Sequence, residues 1–319
     1  MNHVTFSAPG RVDLSGGAAD IFGGCTLSVA IDLRAVCNVA HNSGPPMLKT
    51  PEGLVDLSKT TDPAYNLISA ITTAYGVDGV TLSISSEIPP SSGLGGSASI
   101  AVAALSALNI KEGWGYHKYE IAERAQRIET LDMSLVNGYQ DQYAAVFGSC
   151  LFMDFAKKSN RPLGEEPYAV VESLEFPYPL VVAHTGISHN SGASNSSLVK
   201  RYGERDPHVY GAISKLNELT RDMRTAVIDG SYEDISDIIS RNQDVMRAFG
   251  RSYPENERLI SIALDAGADA AKVTGAGCGG SIAAICSNEE SAEEVCWAVS
   301  QQAAFCRVCH ADMGVMRHD

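Results

Sequence analysis

The chain has 319 residues, 45% of them hydrophobic and 19% charged, with 38 acidic against 24 basic side chains for a formal charge of −14. That length and apolar content fit one large or two ordinary globular domains and exclude disorder or a collagen-like repeat, while the acidic balance disfavours nucleic acid as the main partner. No stretch reaches the ~18 uninterrupted apolar residues of a membrane span, and Met1-Asn2-His3-Val4 lacks the basic-then-apolar layout of a signal peptide, so a cytoplasmic protein without membrane contact is expected.

The first third reads as β-rich. Strands are predicted at Val4 to Phe6, Thr26 to Ala40 and Thr81 to Ser85, with a hairpin across Pro51-Glu52-Gly53. From Ser99 the pattern changes: Ile100, Val102, Ala103, Ala104, Leu105, Ala107 and Leu108 predict a helix apolar nearly all round, hence one at the centre of a domain. A second helix, Tyr116 to Thr130, is amphipathic, with Ile121, Ala122, Ala125 and Ile128 as its buried stripe. Counting ~100° per residue from Ile121, the stripe runs from about −20° to about 100°, and Glu129 falls inside it at about 80°. Either the helix frays at Thr130 and Glu129 reaches water, or this carboxylate has a partner.

Strands follow at Leu151 to Phe155 and Ala169 to Val171, flanking a loop or hairpin from Lys157 to Pro167. Pro177-Tyr178-Pro179 marks a domain boundary, giving units of 1–176 and 177–319. Beyond it come a strand (Leu180 to His184), helices between Ser194 and Ala266, strands at Asp269 to Thr274 and Ser281 to Cys286, a helix from Ser291 to Ala303 and a closing strand. Strands separated by helices point to an α+β sandwich.

The eight cysteines are spread over a chain long enough to build its own core, so no disulfide framework is required. Cys306-Arg307-Val308-Cys309-His310 spells the haem-attachment pattern, but it lies in an apolar run that reads as the closing strand, and no second ligand pair with zinc-site spacing occurs. Reduced cysteines are expected there.

Glycines gather at Gly16-Gly17 with Gly23-Gly24, at Gly93-Leu94-Gly95-Gly96, and at Gly275-Ala276-Gly277-Cys278-Gly279-Gly280. In the second cluster a strand runs into Pro89-Pro90-Ser91-Ser92-Gly93-Leu94-Gly95-Gly96-Ser97, and the central helix starts immediately afterwards. Backbone N–H groups in such a loop approach an anion, the helix N-terminus adds its positive end, and Ser97 caps the helix or ligates a phosphate-bound metal. The alternative is a capped helix after a flexible loop. The third cluster spells G-x-G-x-x-G, yet an apolar β-branched strand follows it instead of a helix, so it reads as a turn approaching a ligand or another loop. Between the two, Gly138-Tyr139-Gln140-Asp141-Gln142-Tyr143 is a polar run in apolar surroundings, a pocket wall in which Asp141 is a general base, a ligand of a substrate hydroxyl, or a helix cap.

Three stretches in order resemble the motifs of the GHMP small-molecule kinase superfamily (galactokinase, homoserine kinase, mevalonate kinase, phosphomevalonate kinase): Ser7-Ala8-Pro9-Gly10-Arg11-Val12-Asp13-Leu14-Ser15-Gly16-Gly17, Pro90 to Ser99, and Lys272-Val273-Thr274-Gly275 to Gly280. The resemblance spans nearly the whole chain. It implies an α+β two-domain fold, with a ribosomal S5 domain 2-like N-terminal domain and a ferredoxin-like C-terminal domain. It also implies ATP and Mg²⁺ as cofactors. By matching position, Pro90, Ser91, Ser92, Gly93, Leu94, Gly95, Gly96, Ser97, Ala98 and Gly277 would bind ATP, and Ser97 and Glu129 would hold the metal. Asp141 and Arg11 would be catalytic, and Gly17, Asp20 and Asp141 would meet the substrate. Within the superfamily, Arg11, Gly16-Gly17-Ala18-Ala19-Asp20 and Gly138-Tyr139-Gln140-Asp141-Gln142 look most like the sugar-kinase branch, near the heptose 7-phosphate kinases. His189 stands where those kinases often carry another basic residue. The implied reaction is transfer of the ATP γ-phosphoryl group to a hydroxyl, the anomeric one, of a sugar or sugar phosphate, by a monomer or homodimer. A kinase for mevalonate or a polyol, and a non-catalytic binding protein of the same fold, are the alternatives.

Overall fold

The structure, a computed structural model, describes residues 3–158, 168–187, 191–275, 277 and 280–318. Five strands, β1 (His3–Ser15), β2 (Cys25–His41), β3 (Met47–Thr50), β4 (Gly53–Asp56) and β5 (Val80–Ser86), open the chain, with helix α1 (Asn66–Ala74) before β5. Helices α2 (Gly96–Glu112), α3 (Lys118–Arg127) and α4 (Gln140–Phe147) follow, then β6 (Cys150–Asp154) and β7 (Val170–Leu174). The second half comprises β8 (Leu180–His184), α5 (Ser191–Gly203), α6 (Pro207–Asp229), α7 (Tyr232–Ala248), α8 (Pro254–Asp265), β9 (Ala270–Val273), β10 (Ser281–Ile285), α9 (Glu289–Ser300), β11 (Phe305–Cys309) and β12 (Met316–Arg317).

Two sheets result. The first joins β1 to β7 with β12, and the second has the order β11-β8-β10-β9, all antiparallel. Numbered within the unit, that order is 4-1-3-2 with helices after its first and third strands, which is the ferredoxin-like arrangement. Helix α2 lies against β1 and β2. Its residues from Ala101 to Leu108 are all buried, as an all-round apolar helix demands, and each buried Val or Leu there contributes roughly 1.5–3 kcal/mol. One core fills the space between the first sheet and α1 to α4, a second lies between the two sheets, and a third lies between the second sheet and α5, α6, α8 and α9.

The elements depart from expectation in four places. The strand predicted at Val4 to Phe6 continues to Ser15, because a register shift between Pro9 and Gly10 accommodates the residue that lacks an N–H donor. Helix α1 has no counterpart in the sequence reading; it is nine residues long, too short for a clear period. The helix expected to Thr130 ends at Arg127 and passes into a π-helical turn, Ile128–Asp132.

The fourth departure concerns the closing strand. Cys309 ends β11, but the tail beyond it crosses to the first sheet, where β12 pairs with β1 and Gly148 bridges Met313. Arg34 on β2 gathers this tail, donating to Asp312 Oδ2 at 2.6 Å and to the Gly314 carbonyl at 2.8 Å. The expected unit 177–319 therefore loses its last residues to the other sheet. Cys306 and Cys309 face opposite sides of β11, Cys306 toward Cys296 (Sγ to Sγ 3.2 Å) and Cys309 into the core between the sheets, so the two thiols do not converge on one group. Most of the loop from Lys157 to Pro167, together with His189, Ala276, Cys278 and Gly279, lies outside the described residues.

Candidate active site

The glycine loop between β5 and α2 takes backbone conformations that few side chains tolerate. Ser91, Gly93 and Gly95 all have positive φ, and Gly95 is the N-cap of α2. No described side chain caps this helix, so its first-turn N–H groups face the loop's concavity without an internal partner. The loop is anchored to β1, since the Arg11 N–H donates to the Leu94 carbonyl at 2.9 Å and Ser99 Oγ donates to the Pro9 carbonyl at 2.7 Å. The third glycine cluster lies between antiparallel β9 and β10 and does not start a βαβ unit, and its Gly275 and Gly280 pack on the same loop. A Cβ on Gly275 would come within 2.5 Å of the Gly93 carbonyl oxygen, and one on Gly280 within 2.8 Å of that of Ser92, so neither position admits a side chain. Gly277, with φ +70, backs instead onto the Arg251 carbonyl, and it does not line the cleft described below.

Arg11 connects this loop to Asp141. Its Nε and Nη2 donate to Asp141 Oδ1 at 2.9 and 2.7 Å, and its Nη1 donates to the Gly93 carbonyl. The guanidinium is buried, whereas Asp141, in the first turn of α4, is about a third exposed with a side-chain accessibility of 31%. A held, partly accessible carboxylate beside this glycine loop suits proton acceptance from a bound hydroxyl.

Glu129 is buried, so the fraying alternative does not hold. The π turn swings its carboxylate toward α2, where Oε1 accepts from Ser97 Oγ while Oε2 accepts from Asn137 Nδ2 at 3.2 Å and from Gln142 Nε2. Burial, with Asp141 adding, pushes Glu129 above the usual carboxylate range against these three hydrogen bonds. Its hydrogen-bond partners are all neutral. A buried carboxylate and a hydroxyl side by side form a hard-oxygen pair of the kind Mg²⁺ takes when phosphate oxygens and waters complete its shell.

Asp20 is buried and clamps the chain ahead of α4. Its Oδ2 accepts from the N–H groups of Tyr139 at 2.7 Å and Gln140 at 3.0 Å. Burial foremost, with Asp141 and Asp13 adding, raises its pKa to about 6 against those backbone donors. The Gly17 carbonyl accepts from Gln140 Nε2 at 2.7 Å, so both first-motif residues expected to meet substrate also hold the segment that carries Asp141. Arg11, Gly17, Asp20, Gly93, Asp141 and Asn195 share one small cleft with a cavity volume of about 80 Å³.

Several participants were not foreseen. Asn137 and Asn195 sit in polar stretches with no periodic signal. Lys272 and Asp13, both fully buried, form an ion pair at 3.1 Å between the two sheets, and Lys272 also donates to the Asp13 and Val273 carbonyls. Glu123, one turn ahead of the π turn, is buried with Lys158 at 2.8 Å and accepts from Tyr143, tying α3 to α4.

Two family models match the chain, GHMP kinases N terminal domain over residues 62–149 and GHMP kinases C terminal over residues 223–304, together more than half its length. A mevalonate kinase of Thermococcus sibiricus is 28% identical over 315 residues, covering 90% of each chain. A D-glycero-α-D-manno-heptose 7-phosphate kinase of Campylobacter jejuni is 27% identical over 311 residues, covering 88% of each. The structure of Lactococcus lactis galactokinase complexed with galactose superposes with a TM-score of 0.80 at 18% identity, covering 98% of this chain and 95% of that one. Mevalonate and sugar kinases are thus similar to the chain to nearly the same degree, and the sugar-kinase branch is not singled out. Motifs, fold and both family models agree: the chain belongs to the GHMP kinase family, and it is a kinase acting on a small molecule.

Proposed function

We propose that this kinase transfers the γ-phosphoryl group of ATP to a hydroxyl, the anomeric one, of a sugar or sugar phosphate, and that it does so in the cytoplasm. The observation that carries the reading is the Arg11 strut, which joins Asp141 to the Gly93 carbonyl of the phosphate loop inside a cleft walled by amide and carboxylate side chains. Loop and first-turn N–H groups from Gly93 to Ala98 hold the phosphates. Asp141 takes the hydroxyl proton as the new O–P bond forms, the bond to the bridging oxygen breaks, and ADP leaves. Arg11 faces the charge that develops on the transferring group. Ser97 and Glu129 would hold Mg²⁺, which when bound neutralises charge on the phosphate oxygens. Positioning and fixed electrostatics carry the rate in such a site.

The polar wall favours a polyhydroxylated acceptor. Mevalonate is the second reading, favoured by the similarity to mevalonate kinases. A coupled ADP-release screen over sugars, sugar phosphates, inositols and mevalonate separates them: release with a sugar or sugar phosphate is expected, and release with mevalonate alone would overturn the sugar reading.

A further inference from the structure

Asn195, in the second turn of α5, is 6% exposed and lines the cleft that holds Asp141. Its Nδ2 donates to the Val136 carbonyl at 2.9 Å, just ahead of the segment that Asp20 clamps. That bond decides which way the amide points, because the reverse orientation would set two carbonyl oxygens against each other. The group left over is Oδ1, a buried acceptor with no partner among the described residues. Gln140 in the same cleft shows the contrast: it donates to the Gly17 carbonyl at 2.7 Å and accepts from Ser28 Oγ at 3.2 Å. An unpaired buried acceptor is costly and calls for a donor.

We infer that Asn195 Oδ1 accepts a hydrogen bond from a second hydroxyl of the acceptor molecule, distinct from the one that reacts at Asp141, and so selects for polyols. The inference rests on the kinase reading above and deepens it. An ionised carboxylate or phosphate has no proton to donate, so neither occupies this position. Arg11, the one cation among the described lining residues, is already engaged by Asp141 and Gly93. The end of the substrate facing α5 is therefore neutral and hydroxylated.

Two substitutions separate this role from a structural one. Asn195→Leu and Asn195→Asp both lose the bond to Val136, but only Leu loses the acceptor oxygen. With the sugar that wild type phosphorylates best among D-mannose, D-galactose and D-glycero-D-manno-heptose 7-phosphate, Asn195→Leu is expected to raise the sugar KM about tenfold. The values of kcat and the KM for ATP should stay within about twofold, and the sugar KM of Asn195→Asp, which keeps an acceptor oxygen but sets another against the Val136 carbonyl, should rise less than that of Asn195→Leu. Equal impairment of both variants, or an unchanged KM in Asn195→Leu, overturns the inference. The same split obtained with mevalonate would support the hydroxyl contact while refuting a sugar acceptor. If ATP binds and no acceptor releases ADP, the kinase reading fails and calorimetric titration with D-mannose and D-galactose decides. Binding lost in Asn195→Leu and kept in Asn195→Asp then supports the contact, and absence of sugar binding to wild type overturns it.

Discussion

Asp20 and Glu129 are carboxylates taken out of water and given hydrogen bonds but no cationic hydrogen-bond partner. For Asp20 the result is a pKa near 6 in the folded protein against an ordinary value of 3.8. Between those values the folded chain keeps a proton that the unfolded chain has released, so the stability contributed by this group is full below the lower value and falls as pH rises through the upper one. Two pKa units correspond to about 3 kcal/mol. Urea unfolding of wild type and Asp20→Asn should show the stability difference between them moving against wild type by about that amount from pH 4 to pH 7; a difference independent of pH would contradict the burial argument. The candidate at Glu129 was legible because helical periodicity alone put a carboxylate on a buried stripe. The clamp at Asp20 was not, since it depends on N–H groups more than a hundred positions along the chain, and Asn195 lies in a polar run that carries no periodic signal at all.

Among elements, the joint between the π turn and α4 does most to position chemistry. The π turn inserts one extra residue into the helical ladder and brings Glu129 to Ser97, as such turns do at functional sites. No period of 3.6 announces it. Gly138, which follows, has open backbone geometry but no room: a Cβ there would lie 1.8 Å from Asp20 Oδ2. Gly138→Ala must expel the Asp20 carboxylate from the N–H groups of Tyr139 and Gln140. We expect a loss of roughly 2–4 kcal/mol in denaturant unfolding and a kcat/KM lowered about tenfold or more as the first turn of α4 shifts. The comparison is Gly211→Ala in α6, where nothing lies within 4 Å of the added methyl and helix propensity predicts a gain of about 0.5–1 kcal/mol. Similar losses in both variants would remove the steric explanation. Long elements such as β2 and α2 were readable from their apolar runs. The extent of β1 was hidden by Pro9-Gly10, whose register shift becomes visible only with the partner strand in place.

Across the whole molecule, the site exists only where distant stretches meet. Arg11 comes from β1 of the first sheet, the glycine loop from between β5 and α2, Asp141 from α4 and Asn195 from α5. Gly275 and Gly280 brace the glycine loop, and the buried Lys272–Asp13 pair fastens the second sheet beneath β1. The order of the three motifs made this convergence expected. The pairing of Lys272 with Asp13, and the return of the tail to β1, required coordinates because both are contacts between chain ends with no local signature. On the proposed reading, a chain of charge −14 that brings one guanidinium to its cleft would hold polyphosphate chiefly through backbone N–H groups, a helix terminus and a shared metal. In the proposed mechanism nucleotide binding and hydroxyl activation are then separable, because Asp141 would serve only the second.

The most direct measurement is steady-state ADP release by Asp141→Asn with the acceptor that wild type uses, alongside nucleotide affinity determined without acceptor. The account predicts turnover lowered by roughly 10²–10⁴-fold with ATP affinity within about threefold of wild type. Turnover at the wild-type rate in Asp141→Asn would contradict it.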